Sequence, residues 1–110
     1  MLRSRCHLRK ASAIVVLLAA CVTAPQTVAM EVIRLGDTLV LSGEIVRRDL
    51  DAVQAEFNRT PMITHVVLRN SKGGNSWTGY RLGELFRERG ITTVVSGHCV
   101  SACSRLFLGG

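Results

Sequence analysis

Ser101 stands in the run Gly97-His98-Cys99-Val100-Ser101-Ala102-Cys103, where the hydrophobic pattern passes from strand-like to helical. A serine at such a passage has two uses. Its hydroxyl can cap the helix that follows, or it can act as a nucleophile whose developing negative charge is favoured by the amino end of that helix. Earlier in the chain, Asn70-Ser71-Lys72-Gly73-Gly74-Asn75-Ser76 is a polar glycine loop. Consecutive glycines make either a plain flexible turn or a backbone that points N–H groups into a cavity and binds developing negative charge. The loop lacks the Lys and Ser or Thr that follow the second glycine of a phosphate-binding P-loop. Both features fall after strand-like runs, where open α/β sheets place their ligand sites.

The neighbouring titratable groups offer a base only under special conditions. His98, three residues before Ser101, reads as a solvated turn histidine, and His65, at the start of a strand-like run, as structural. Lys72 could accept a proton only if burial depressed its pKa; in an exposed glycine loop it is expected to stay charged. Cys99 and Cys103 straddle Ser101. They read as a disulfide stiffening the turn or as two small buried thiols. One helical turn brings their Cα atoms within the roughly 7 Å that a bridge tolerates. With His98 they supply too few ligands for zinc. No metal site and no cofactor is implied.

The elements that must position these residues alternate along the chain. Glu31 to Leu35 and Thr38 to Ser42 read as strands separated by the Gly36-Asp37 turn. Arg48 to Asn58 reads as a helix with Leu50, Val53 and Phe57 at helical spacing, Asp49 capping its start and Thr60-Pro61 breaking it. His65 to Arg69 is strand-like. Trp77 to Arg89 is a second helix, with Leu82, Leu85 and Phe86 on one face and Gly90 as its stop. Gly79 and Gly83, four apart, would let it approach the sheet closely. Ile91 to Val95 is β-branched, Gly97-His98 reads as a turn, and Val100 to Leu108 as a buried helix. The order β-β-α-β-α-β-α predicts an α/β fold with a mostly parallel sheet.

The first residues are of another kind. Arg3, Arg5, Arg9 and Lys10 precede the apolar run Ala11 to Ala20, too short for a membrane span of ~20 residues, and small residues follow. This is the pattern of a secretory signal, as against a retained anchor or a buried core helix. Thr27-Val28-Ala29 predicts cleavage before Met30, with residues 1–29 as the signal peptide. Leu18-Ala19-Ala20-Cys21 resembles a lipoprotein box, with residues 1–20 removed and Cys21 lipidated. The protein is accordingly expected to be exported, either periplasmic or tethered to a membrane through its lipid.

Export changes the charge argument. The chain carries a net +6, but from Met30 onward ten Lys or Arg face eight Asp or Glu, a net +2. The scattered remainder forms no concentrated basic face for nucleic acid. Residues 30–110 make one small domain with a modest core and no second long apolar run. In an exported chain the remaining cysteine pair can be oxidised.

Taken together, the glycine loop and the serine turn resemble the Clp peptidase and crotonase superfamily from about Thr38 to Gly110. Leu39-Val40-Leu41-Ser42-Gly43-Glu44-Ile45 is similar to the family's first strand. Val66-Val67-Leu68-Arg69-Asn70-Ser71 with Gly73-Gly74 resembles its strand and glycine loop, and Gly79 its helix-opening glycine. Gly97 to Ser101 resembles the turn onto the nucleophilic serine, and the apolar helix to Gly109-Gly110 continues the likeness. The nearest resemblance is to an exported branch with a Cys-x-Ser-Ala-Cys element. It implies repeated ββα units, Ser101 as nucleophile, and the backbone N–H groups of Gly74 and Ala102 as the oxyanion hole. The implied chemistry is acyl transfer on a peptide.

Two departures bear on activity. Lys72 replaces the proline that usually precedes the glycines. The family's catalytic His and Asp lie well beyond the serine, and no residue up to Gly110, nine past Ser101, matches either. The expectation is a domain incomplete at its carboxyl end: a fragment, an early stop, or a half that pairs with another chain or forms a homo-oligomer. Two functions follow: an exported serine peptidase-like protein inactive without a base from elsewhere, or a non-catalytic envelope module that binds a peptide or protein segment or serves assembly. Acyl-coenzyme A chemistry fits an exported protein badly, because that substrate is cytoplasmic.

Overall fold

A computed structural model describes residues 29–59 and 62–110. The expected signal segment up to residue 28, the lipidation position Cys21 and the Thr60-Pro61 helix breaker lie outside the described residues. The elements run β1 (Glu31–Leu35), β2 (Thr38–Ser42), α1 (Asp49–Arg59), β3 (His65–Ser71), α2 (Ser76–Glu88), β4 (Thr92–Cys99) and α3 (Ala102–Gly109). The four strands form one sheet in the order β1-β2-β3-β4. β1 and β2 are antiparallel, whereas β2, β3 and β4 are parallel. The mixed α/β architecture with a mostly parallel sheet is therefore present. α1 and α2 begin and end within a residue of the spans expected for them, Arg48 to Asn58 and Trp77 to Arg89.

Alternation along the strands separates two faces. Leu39, Leu41, Val66 and Leu68 are buried and join Val53, Phe57, Leu82, Phe86 and Leu106 from the helices in one core. Phe57 of α1 meets Phe86 of α2 edge to face, with ring centroids 6.0 Å apart. The other face carries an apolar row in register, Ile33–Val40–Val67–Val94. Its end members, Ile33 and Val94, are exposed. Arg47 and Arg81 lie over the Trp77 ring at 5.0 and 5.5 Å, which ties the β2–α1 connection to the first turn of α2.

Three local expectations are corrected. First, Gly97-His98 does not turn the chain: β4 runs through it to Cys99. Arg69 pairs with Ser96 and Ser71 with Cys99, so β4 carries one more residue than β3 over this stretch. A bulge accommodates an extra residue without ending the ladder. Gly97 lies within it at φ 83°, against the Asn70 side chain. Helix α3 consequently starts at Ala102 rather than Val100.

Second, Asp49 does not cap α1 in the forward direction. It is the first helical residue, and its carboxylate turns back to accept the Val46 N–H at 2.6 Å and the Met30 N–H at 3.2 and 3.4 Å. At 1% exposure its oxygens have little water to turn to, so donors from the preceding loop and from the residue before β1 satisfy them.

Third, Gly79 and Gly83 do not bring α2 close to the sheet. They bring it onto α3. A Cβ on Gly79 would lie 2.8 Å from the Ala102 carbonyl oxygen, and one on Gly83 2.6 Å from that of Arg105. Gly109 of α3 packs in turn on the Gly83 backbone. The spacing of four places both glycines on one helix face, and it is α3, not the sheet, that this face meets.

Gly83→Ala decides between two opposing effects. In an exposed helix the change would gain about 1 kcal/mol of helix propensity. Here the added carbon meets backbone, which cannot swing aside, and overpacking costs about 1–3 kcal/mol. The variant is expected to be less stable than the parent by urea unfolding; a raised midpoint would mean that α2 and α3 are not in this contact.

Candidate functional site

The carboxyl end of β3 and that of β4 are built as one unit. After Ser71, β3 gives way to the glycine loop. The buried Ser71 hydroxyl accepts the Gly73 N–H at 3.1 Å, and the Ser71 carbonyl accepts the Val100 N–H at 3.0 Å. One residue thus fixes the loop with its side chain and the serine turn with its backbone. Gly73 lies against that turn: a Cβ there would be 2.8 Å from Ser101 Cβ and 2.9 Å from the Ala102 nitrogen. With φ 99° as well, the position excludes any other residue on two counts.

Gly74 is held from the opposite side. It bridges to Ile45, whose N–H donates to the Gly73 carbonyl at 2.8 Å while its own carbonyl accepts the Asn75 N–H at 2.9 Å. These bonds use Gly73 and Asn75 and leave the Gly74 N–H out. Asn75 then caps α2, its side chain accepting the Thr78 N–H at 2.8 Å and the Thr78 hydroxyl at 2.9 Å. The loop is therefore fixed at both ends rather than a plain flexible turn.

Ser101 has φ 55° and ψ −126°, a backbone region sparsely occupied by any residue with a side chain. Its hydroxyl makes no capping bond to α3, so the capping alternative does not describe this serine. The Cys103 N–H donates to the Val100 carbonyl at 3.0 Å, and the Ser101 carbonyl accepts the Ser104 N–H at 2.9 Å and the Ser104 hydroxyl at 2.6 Å. A serine held strained on a strand-to-helix turn, with its side chain exposed, is the arrangement that presents a nucleophilic Oγ.

Cys99 and Cys103 are joined by a disulfide, with Cα atoms 5.2 Å apart. Cys103 is fully buried and Cys99 packs on the core edge. The bridge spans the Ser101 turn and anchors its two flanks, one in β4 and one in the first turn of α3.

The N–H groups of Gly74 and Ala102 donate to no turn, loop or cap partner among the described residues. Ala102 is the first residue of α3, where a helix leaves N–H groups without intrahelical partners. Among the described residues its N–H and that of Gly74 meet no acceptor in a turn, loop or cap and could meet a ligand atom, whereas the Gly73 N–H is already committed to Ser71.

Lys72 and His98 are both exposed, and neither forms a hydrogen bond or ion pair among the described residues. His65 is remote, at the start of β3, with its Nδ1 2.8 Å from the Thr64 hydroxyl. No three His, Cys, Asp or Glu side chains cluster for a metal among the described residues. A shallow groove lies between α2 and α3, lined by Tyr80, Glu84, Arg87, Arg105 and Leu108; Ser101 is not part of it.

Sequence reasoning missed Ser71 and Asn70. The sequence marks Ser71 as part of a strand end and polar loop without assigning its side chain a role, yet it closes that loop. Asn70, at φ 49°, turns its side chain onto the bulge in β4. The available signal was the Asn-Ser pair ending an apolar run ahead of two glycines, a place where short polar side chains bond local backbone.

No family model, curated protein or solved structure matches the chain. The functional reading therefore rests on the geometry of the site.

The strain at Ser101 gives a sign test. A residue held in this region costs on the order of 1–3 kcal/mol, and glycine removes most of that. Ser101→Gly is expected to raise stability by about 1 kcal/mol, whereas Ser101→Ala, still carrying a Cβ, leaves it near the parent value. Thermal or urea unfolding of both variants measures the difference, and equal midpoints would mean that the turn is unstrained.

Proposed function

We propose that the chain is an exported serine peptidase-like domain with Ser101 in the nucleophile position. The Clp and crotonase type of ββα architecture is part of the same proposal. The observation that carries it is the Ser101 backbone, strained on a strand-to-helix turn with its hydroxyl released from capping. The close packing of Gly73 on Ser101 and the uncommitted N–H groups of Gly74 and Ala102 support it.

In the proposed step, Ser101 Oγ adds to a peptide carbonyl carbon and its proton passes to a base. The carbonyl oxygen takes the negative charge, and the Gly74 and Ala102 N–H groups donate to it. Collapse of the adduct expels the amine, which carries away the proton, and leaves an acyl-serine for water to hydrolyse. A removed oxyanion donor typically costs about 10²–10³ in turnover, so both N–H groups matter if the step occurs. No described residue holds a base on Oγ, and a serine without one is a weak nucleophile. The base is therefore assigned to a source outside the described residues.

That same observation favours a second reading. With Lys72 and His98 both unengaged, the loop and turn could hold a peptide segment without cleaving it. The domain would then act as a binding or assembly module of the envelope.

A fluorophosphonate probe separates the two. On the peptidase reading, the full chain in an envelope extract of its exporting host is labelled at Ser101, and Ser101→Ala is not. Absence of labelling on folded protein, both purified and in extract, leaves the binding module.

A further inference from the structure

Asp49 is the most deeply buried charged side chain among the described residues, at 1% exposure, and its surroundings are unusual. Its Oδ2 accepts the Val46 N–H at 2.6 Å. Both of its oxygens then converge on one atom, the Met30 nitrogen, at 3.2 and 3.4 Å. Within an intact chain that nitrogen is an amide with a single proton, which two oxygens must share. Met30 is itself buried at 5% exposure. Its nitrogen is also the atom that cleavage after Ala29, the exit predicted from Thr27-Val28-Ala29, would convert into a chain terminus.

We infer that signal cleavage creates a structural ion pair: water adds across the Ala29–Met30 peptide bond, and the new Met30 α-ammonium docks on the buried Asp49 carboxylate. Hydrolysis leaves a carboxylate on Ala29 and a protonated amine on Met30. The amine then has three protons, enough to give each Asp49 oxygen its own. Charge-assisted bonds of this kind are roughly twice as strong as neutral ones.

The electrostatics of Asp49 fit. Burial pushes its carboxyl above the ordinary range, against the bonds from Val46 and Met30 and the nearby Arg48 charge. A positive charge at the Met30 nitrogen would supply the compensation that a buried carboxylate needs. The structural consequence lies at the edge of the sheet. Met30 leads directly into β1, which among the described residues is an edge strand bonded to β2 alone, so the pair would fasten β1 to the start of α1. Lipidation at Cys21 would leave the Ala29–Met30 amide intact and the pair unmade. The inference thus rests on the export reading and is independent of whether Ser101 is a nucleophile.

The test uses the full 110-residue chain expressed in an exporting bacterium. Intact mass identifies the mature terminus, and NMR titration of the ¹⁵N-labelled α-amine gives its pKa. A processed chain beginning at Met30, with an amine titrating at least one unit above the ordinary value of about 7.7–8.0, is the expected result. Burial alone would lower that value, so the sign distinguishes an ion pair from mere enclosure. In Asp49→Asn the amine is expected to fall back to the ordinary value or below it. If that variant fails to fold, the titration of the parent chain still decides. A mature terminus elsewhere, or an amine that titrates at or below the ordinary range in the parent, overturns the inference. Neither result depends on fluorophosphonate labelling of Ser101.

Discussion

The approach of the Gly73 backbone to the Ser101 turn is the contact around which the site is arranged. A Cβ at Gly73 would fall inside the space of Ser101 Cβ, the Val100 carbonyl and the Ala102 nitrogen. The loop after β3 and the turn after β4 are therefore in backbone contact. The other fixed points follow from it. The Ser71 hydroxyl holds the Gly73 N–H, the Ser71 carbonyl holds the Val100 N–H, and Ile45 grips the far side of the loop. With these groups committed, the N–H groups of Gly74 and Ala102 are among those that donate to no turn, loop or cap partner among the described residues. Ala102 directly follows a serine whose strained backbone is bounded by a disulfide, and Gly74 follows the glycine packed on that serine.

The same economy of side chains operates between the helices. Gly79, Gly83 and Gly109 bring α2 and α3 into backbone contact. Because Ala102 is both the residue packed on Gly79 and the first residue of α3, the helix contact also positions the amino end of α3. The serine turn is thus constrained from three directions: by the bulged pairing of β3 with β4, by the glycine loop and by α2. Local strain persists only where the surroundings over-determine it, and Ser101 has such surroundings.

Polar burial follows a consistent rule. Asp49, Ser71 and Thr78 are the buried polar side chains among the described residues, and each bonds backbone or a capping group. No buried side-chain nitrogen or oxygen lacks a partner among the described residues. Ser71 and Thr78 serve the loop and the start of α2. Asp49 serves the β1 end of the sheet and is the ionisable member of the group, its carboxyl pushed above the ordinary range by burial. A buried charge is costly unless a partner compensates it, so the chemical state of the nitrogen it faces matters to the fold.

Much of the architecture was legible in the sequence because it is a matter of period. Strand runs such as Thr38 to Ser42 and the helical spacing of Leu50, Val53 and Phe57 report local backbone geometry, and the four strands and three helices of the described residues appear in the expected order. Type and spacing also picked out Gly73-Gly74 and the turn at Ser101. What the sequence could not supply were relations between distant residues. Gly97-His98 has the composition of a turn, but an extra residue in β4 relative to β3 made it part of the strand. Gly79 and Gly83 advertised a close approach without saying to what, and α3 took the place expected of the sheet. Asp49 had the residue type of a helix cap, yet burial turned its carboxylate back toward Met30. In the same way, the local sequence around Ser101 offers a cap as well as a nucleophile. Only the tertiary contacts, by fixing its φ and ψ, set its hydroxyl free of the helix it precedes, because side-chain direction there is imposed by the elements packed around the turn.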